Sequence, residues 1–118
     1  MRVQLEGQTL RLRVDEAELT QLLAGGVAEN RTRLPDGRQE IQHVHLAHQL
    51  AWQREDAHWH IGLPDAEVRA LSARLPSREG LHFELATPES GKLDILFDVD
   101  VRDSARKRLH RSGEGEAS

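Results

Sequence analysis

The chain has 118 residues, of which 37% are hydrophobic and 31% are charged, and its formal net charge at pH 7 is −4. This length fits one globular domain, and the lack of cysteine excludes disulfides, thiolate metal sites and cysteine nucleophiles. No long apolar run occurs, so the sequence predicts no signal peptide, no membrane span and a cytoplasmic location.

The first fourteen residues have the alternating pattern of a β-hairpin. Apolar and polar residues alternate on both sides of Gly7-Gln8, and a glycine in the first position suits a two-residue turn. This turn pairs Leu5 with Leu10 and Val3 with Leu12, so one face of the hairpin is apolar. The register that the turn sets therefore agrees with the alternation of apolar and polar residues on the two strands.

A short helix is predicted directly after this hairpin. Asp15 and Glu18 have the spacing of a capping box, and Leu19, Leu22 and Leu23 form an apolar stripe at helical spacing. Gly25-Gly26 ends the helix, as glycine does at many helix C-termini.

Three further hairpins and a second helix follow. Strands are predicted over 27–34 and 38–46 around Pro35-Asp36-Gly37, a strong turn sequence. A hairpin over 50–61 makes Trp52 face Trp59, and a helix follows between Pro64 and Pro76. Alternating residues over 81–85 and 93–99 predict the last hairpin.

The predicted order is β-β-α-β-β-β-β-α-β-β, in which the only internal regularity is a loose recurrence of hairpin and helix. It predicts an α+β fold: an antiparallel sheet built from successive hairpins, with two short helices packed on one face. One domain covers 1–101, and 102–118 is predicted to be a disordered charged tail. The predicted core residues are Leu5, Leu10, Leu12, Leu19, Leu22, Phe83, Ile95 and Phe97.

The first hairpin and helix resemble a family of short uncharacterised bacterial proteins. The matching residues are Met1-Arg2-Val3-Gln4-Leu5-Glu6-Gly7, Leu10-Arg11-Leu12-Arg13-Val14 and Glu18-Leu19, and the strand from Leu93 to Leu96 with Asp98 and Asp100 after it is also similar. Family members usually have Asn-Ser where this chain has Gln8-Thr9. The resemblance covers most of 1–101 and implies a shared fold and a bacterial source, but it supplies no activity and no site residues.

Two His-x-His pairs are the candidate metal ligands: His43, His45, His58 and His60. Side chains at i and i+2 on a strand share a face, and imidazole binds zinc, nickel and copper. The predicted 50–61 hairpin, however, puts His60 opposite Ala51, and His45 is six residues from Ala51, or roughly 20 Å along a straight strand. The pairs are therefore predicted to lie apart as surface histidines, unless the chain folds back near His48.

Arg2, Arg11 and Arg13 are the candidate anion-binding residues. The register of the first hairpin puts Arg2 opposite Arg13 and Gln4 opposite Arg11, on the face away from the leucines. Three guanidinium groups on one patch can bind phosphate or carboxylate. The alternative is that neighbouring carboxylates of the chain neutralise them.

Two other charged groups have simpler interpretations. Asp94 and Asp98 are four residues, or about 13 Å, apart on a strand, which is too far for the two carboxylates to share a metal ion. These two residues and Asp100 are therefore interpreted as solvated strand residues. The tail contains five Lys/Arg and three Asp/Glu without an aromatic residue. It is interpreted as solubilising rather than as binding nucleic acid or lipid.

Sequence templates for catalysis are absent: the chain has no G-x-S-x-G, Walker loop, H-E-x-x-H or G-x-G-x-x-G motif. The leading hypothesis is a small non-enzymatic interaction or accessory module of a bacterial cytosol, with no cofactor. Its partner is unknown, either another protein or a second copy, and the acidic body argues against nucleic acid. The alternatives are a transition-metal-binding protein that uses the strand histidines and an enzyme of unrecognised type.

Overall fold

The computed structural model describes residues 1–77 and 79–101. The first half contains β1 (Arg2–Glu6), β2 (Thr9–Asp15), α1 (Glu16–Leu23), β3 (Ala28–Arg33) and β4 (Gln39–Ala47). The second half contains β5 (Ala51–Glu55), β6 (His58–Pro64), α2 (Asp65–Ala73), β7 (Leu81–Thr87) and β8 (Gly91–Asp100). The predicted α+β class, the four hairpins and both helices are confirmed. The predicted tail, 102–118, lies outside the described residues.

The strands form two four-stranded sheets. The first sheet has the order β1-β2-β8-β7 and the second sheet has the order β3-β4-β6-β5. Each sheet joins two antiparallel hairpins through a parallel central pair, β2 with β8 and β4 with β6. The hairpins therefore do not continue along one antiparallel sheet, because each sheet combines one hairpin from each half of the chain.

The two halves are equivalent in topology, as two ββαββ units that exchange their second hairpins. The turns of β1-β2 and β5-β6 both have two residues, closed by the pairs Glu6 with Thr9 and Glu55 with His58. Thr9 then pairs with Asp94, and its counterpart His58 pairs with Ile41. The loose recurrence in the sequence is thus a repeat of the fold, and the paired positions of one sheet have counterparts in the other.

Both sheets and both helices share one apolar core. Helix α1 contacts β2 and β8 of the first sheet and β3 and β4 of the second, and α2 contacts β4, β6 and β7. The core consists of the following buried residues: Leu10, Leu12, Val14, Leu19, Leu22, Ala28, Val44, Ile61, Leu63, Val68, Leu71, Phe83, Ile95, Phe97 and Val99. Seven of the eight predicted core residues are in this set. Leu5 is the exception, with 59% exposure, since it lies beside the turn on an edge strand.

The helices begin in different ways. Asp15 accepts the backbone N–H of Glu18 at 2.7 Å, and the Glu18 carboxylate accepts the N–H of Asp15 at 3.0 Å, which completes the predicted capping box. Helix α2 follows Pro64 and has no side-chain cap. With eight and nine residues, neither helix reaches the length of about 20 residues that crossing a bilayer requires.

The register of the third hairpin differs from its prediction by two residues. Trp52 pairs with Ile61, and Trp59 pairs with Arg54. The turn is Asp56-Ala57, in which Asp56 has a left-handed φ of 56°. The two indole rings still touch edge to face, with centroids 5.7 Å apart, because long side chains on one sheet face reach diagonal neighbours.

Candidate metal centre

The outer face of the second sheet carries all four candidate histidines. Val44 on β4 and Ile61 on β6 are fully buried in the core. Since side chains alternate along a strand, the residues on either side of them, His43 and His45 on β4 and His60 on β6, point to the opposite face. His58 precedes His60 by two residues and joins them there.

Parallel pairing of β4 with β6 brings the two histidine pairs together. The chain leaves β4 at Ala47, turns, and runs along the far edge as β5 before β6 returns between β4 and β5. His43 then lies opposite His60, and Ile41 lies opposite His58. The prediction that the pairs lie apart is therefore wrong. It extended β4 as a straight strand, whereas the chain folds back within the segment that contains His48.

Three of the histidines form a compact cluster, which we call the histidine triad: His43, His58 and His60. One ring nitrogen from each lies within 4.8 Å of the others. The Nε2 atom of His58 and the Nδ1 atom of His43 are hydrogen bonded at 2.7 Å, and the rings of His58 and His60 stack at 4.5 Å. All three are half-buried, so solvent reaches the cluster from the outer face.

Glu29 on β3 orients the triad from the neighbouring strand. It lies opposite His43 in the sheet, and its Oε1 atom is 2.6 Å from His43 Nε2. Arg31 donates to both oxygens of the same carboxylate, at 3.1 and 3.2 Å. These hydrogen bonds from Arg31 and His43 lower the pKa of Glu29 to about 2.

The ionised Glu29 fixes the proton positions in this chain of contacts. A carboxylate only accepts hydrogen bonds, so a neutral His43 carries its proton on Nε2 and presents a lone pair on Nδ1. His58 donates to that lone pair from Nε2. Desolvation lowers the pKa of His58, and charge on His43 and His60 lowers it further, which favours the neutral form that binds metals.

The triad has the donor set of a three-histidine metal site. Metal-binding histidines commonly donate their second ring N–H to a carboxylate, which sets the tautomer, and the contact between Glu29 and His43 has this form. Tetrahedral zinc with Zn–N distances of about 2.0–2.1 Å separates its nitrogen ligands by roughly 3.3 Å. An ion would therefore take the place of the hydrogen bond from His58 to His43 after a widening of this contact, with the His58 proton moving from Nε2 to Nδ1.

His45 is on the same face but is not in the triad. It pairs with Gly62, one row farther from His58 than His43 is. The missing side chain of Gly62 leaves room for His45, whose Nε2 lies 3.4 Å from where a Cβ on Gly62 would stand. The four predicted ligands thus divide into three grouped residues and one neighbour.

The three predicted anion-binding arginines lie as expected on the outer face of the first sheet. Arg2 pairs with Arg13, and Gln4 pairs with Arg11. The Asp98 carboxylate is 3.2 Å from Arg13 Nε and 4.0 Å from Arg11 Nε. For Arg11 and Arg13, this arrangement favours the alternative in which a carboxylate of the chain itself neutralises the arginines.

A second group of metal-binding residue types, His82, Glu84 and Asp94, was missed by the sequence reasoning. It lies on the first sheet, where the hairpin register puts Glu84 opposite Asp94. Lys92 Nζ is 2.9 Å from Glu84 and 3.8 Å from Asp94, and His82 bonds Asp94 at 2.9 Å. An ammonium group already sits with these carboxylates, so this group is the weaker candidate.

The role of Glu29 was also missed, although a signal for it exists. The backbone N–H of Leu34 donates to the carbonyl of Arg38 at 2.8 Å, which closes the predicted turn at Pro35-Asp36-Gly37. Counting outward from this pair puts Glu29 opposite His43. The turn sequence thus contains enough information to find the carboxylate.

The comparisons with known proteins add no relative. No family model, no curated protein and no solved structure matches this chain. The site must therefore be interpreted from its own chemistry.

Proposed function

We propose that this protein binds a divalent transition metal ion through His43, His58 and His60. The observation that carries the proposal is the grouping of three imidazole nitrogens within 4.8 Å on one sheet face. Imidazole ligands suit zinc, copper, nickel and iron. Glu29 acts as the outer hydrogen-bond partner that fixes the tautomer of His43, rather than as a ligand.

The surrounding charges support this division of roles. Both oxygens of Glu29 are occupied by Arg31, whose positive charge leaves the carboxylate with less attraction for a cation. The His43 Nδ1 atom already points toward a second member of the triad, His58. Paired strands hold the backbone of the ligands in place, so binding requires only rotation of the imidazole rings, which are stacked at His58 and His60.

Calorimetric titration with Zn²⁺ tests the proposal on the full chain, purified without a polyhistidine tag, at about pH 7.5, where unperturbed imidazoles are neutral. We expect one ion per chain, and at least tenfold weaker binding in each of His43→Ala, His58→Ala and His60→Ala. Glu29→Gln should weaken binding by about 10–100-fold, as outer-shell substitutions do.

His48→Ala is the matched control, because His48 is an exposed histidine directly after β4, the strand that contains His43. It should bind Zn²⁺ as the wild type does. Unchanged binding in the variant with all three triad residues replaced would disprove the proposal. Equal losses in His48→Ala and His43→Ala would disprove it too, since binding would then reflect histidine content alone.

Metal binding is an activity that the non-enzymatic accessory module predicted from the sequence can have. A metal-binding accessory protein needs no catalytic residues, and the two hypotheses are compatible. The enzyme hypothesis stays a prediction, and so does the hypothesis that the partner is another protein or a second copy of this chain.

A further inference from the structure

The histidine triad occupies three corners of a four-residue square. Four adjacent outward residues of the two central strands of the second sheet, β4 and β6, form this square: Ile41, His43, His58 and His60. Three corners supply imidazoles, and Ile41 supplies none. The corner that a fourth ligand would most easily occupy thus holds an apolar side chain.

The other neighbours leave that corner unfilled. Among residues 1–77 and 79–101, no further His, Asp or Glu belongs to the triad's group, and the chain has no cysteine. Glu29 is held by Arg31 and His43. Glu55 lies opposite His58 on the edge strand β5, but it is exposed and outside the group.

We infer that a metal ion in the triad keeps one coordination position open beside Ile41, which water occupies and small monodentate anions enter. This inference rests on the proposed function. Structural zinc sites have four protein ligands, whereas sites with three protein ligands hold an exchangeable water. The half-buried triad on an outer face gives solvent direct access to that position.

The chemical class of the ligand follows from the charge at the site. Three neutral imidazoles leave a bound divalent ion with its full charge of +2, and the negative charge of Glu29 is shared with Arg31. An anion with one donor atom reduces that charge and displaces only water. Ile41 borders the position and offers no hydrogen bond, so the metal bond itself provides the recognition.

Co²⁺ in place of Zn²⁺ gives a visible spectrum that reports coordination, and azide is the anionic probe. The Co²⁺-loaded wild type should show a spectrum that depends on the triad histidines and that changes saturably with azide. Ile41→His places a fourth imidazole at the open corner. It should bind Zn²⁺ at least tenfold more tightly and lose the azide response, whereas the control Ile41→Val should retain both wild-type properties.

The outcomes separate the two proposals. Failure to bind Co²⁺, or binding that survives replacement of the triad, overturns the metal site and the open position together. Triad-dependent binding without an azide response overturns only the open position. If the response then emerges in Glu55→Gln, Glu55 is the fourth ligand. Should Ile41→His fail to fold, Ile41→Asp tests the same corner with a carboxylate.

Discussion

The two sheets are built on one plan but have different outer faces. In the second sheet, four adjacent outward residues of the central strands are Ile41, His43, His58 and His60; in the first sheet, their counterparts are Asp94, Leu96, Thr9 and Arg11. The first square thus mixes a carboxylate, a guanidinium, a hydroxyl and an apolar side chain. The scaffold therefore permits either face, and the proposed metal site depends on the identity of a few outward residues.

Parts of the inner faces, by contrast, are alike. Leu12 corresponds to Ile61, and Leu22 of α1 corresponds to Leu71 of α2; all four are at most 1% exposed. Burial of these side chains is the common requirement of both halves. Substitutions at equivalent core positions should therefore have similar effects, while substitutions on the outer faces should not.

The largest expected effect tests this shared core. Leu22→Ala and Leu71→Ala should each lower the free energy of unfolding by about 2–5 kcal/mol, because each removes a buried side chain and leaves a cavity. Urea denaturation at low temperature measures both. Leu5→Ala is the control and should stay within about 0.5 kcal/mol, since Leu5 is mostly exposed. A loss below about 1 kcal/mol at only one of the two helix positions would contradict the equivalence of the halves.

The second prediction uses the difference between the helix starts. Asp15→Ala should lower the free energy of unfolding by about 1 kcal/mol, because it removes the N-cap of α1. Asp65→Ala should have a smaller effect: Asp65 makes an exposed ion pair with Arg69, which is worth about 0.3–0.5 kcal/mol. Thermal or urea unfolding gives both values. Equal losses would contradict a larger contribution from the capping box, and Asp15→Asn should restore most of the stability.

Local signals in the sequence predicted most of the elements and much of the core. Gly7-Gln8 and Pro35-Asp36-Gly37 set their hairpins, and Asp15 with Glu18 set the start of α1. Each of these signals lies within a few residues of the structure that it controls. Leu5 shows the limit of such patterns, because alternation gives the face of a strand but not whether the opposite element extends far enough to cover it.

The pairing of one hairpin with another, unlike the hairpins themselves, is not set by local sequence signals. Nothing near His43 specifies that β6 will lie beside β4 in parallel, since that contact depends on how both halves pack around the helices. The site residues were therefore predictable as candidates, whereas the grouping of His43 with His60 was not. The two-residue error in the third hairpin had a local cause, a turn at Asp56-Ala57 instead of one residue earlier.

The smallest expected effect concerns a position where one outer face has an ionisable side chain and the other does not. Asp94 of the first sheet corresponds to Ile41 of the second, which has no ionisable group. The hydrogen bond from His82, together with the charges of Lys92 and His82, lowers the pKa of Asp94 below its ordinary value of 3.8, against an opposing effect of desolvation. Asp94 is therefore easier to ionise in the folded chain than in the unfolded chain.

The sign of the pH effect follows from this difference. A group with a lowered folded-state pKa adds stability that is complete above its unfolded value and disappears as the pH falls through its folded value. The stability difference between the wild type and Asp94→Asn should therefore be constant at about pH 5–6 and shrink as the pH approaches 2. Urea denaturation across that range measures it. His82→Leu should remove most of the pH-dependent part, because the His82 hydrogen bond is its largest cause, and a stability difference that does not change with pH would show that Asp94 gains nothing from this contact in the folded chain.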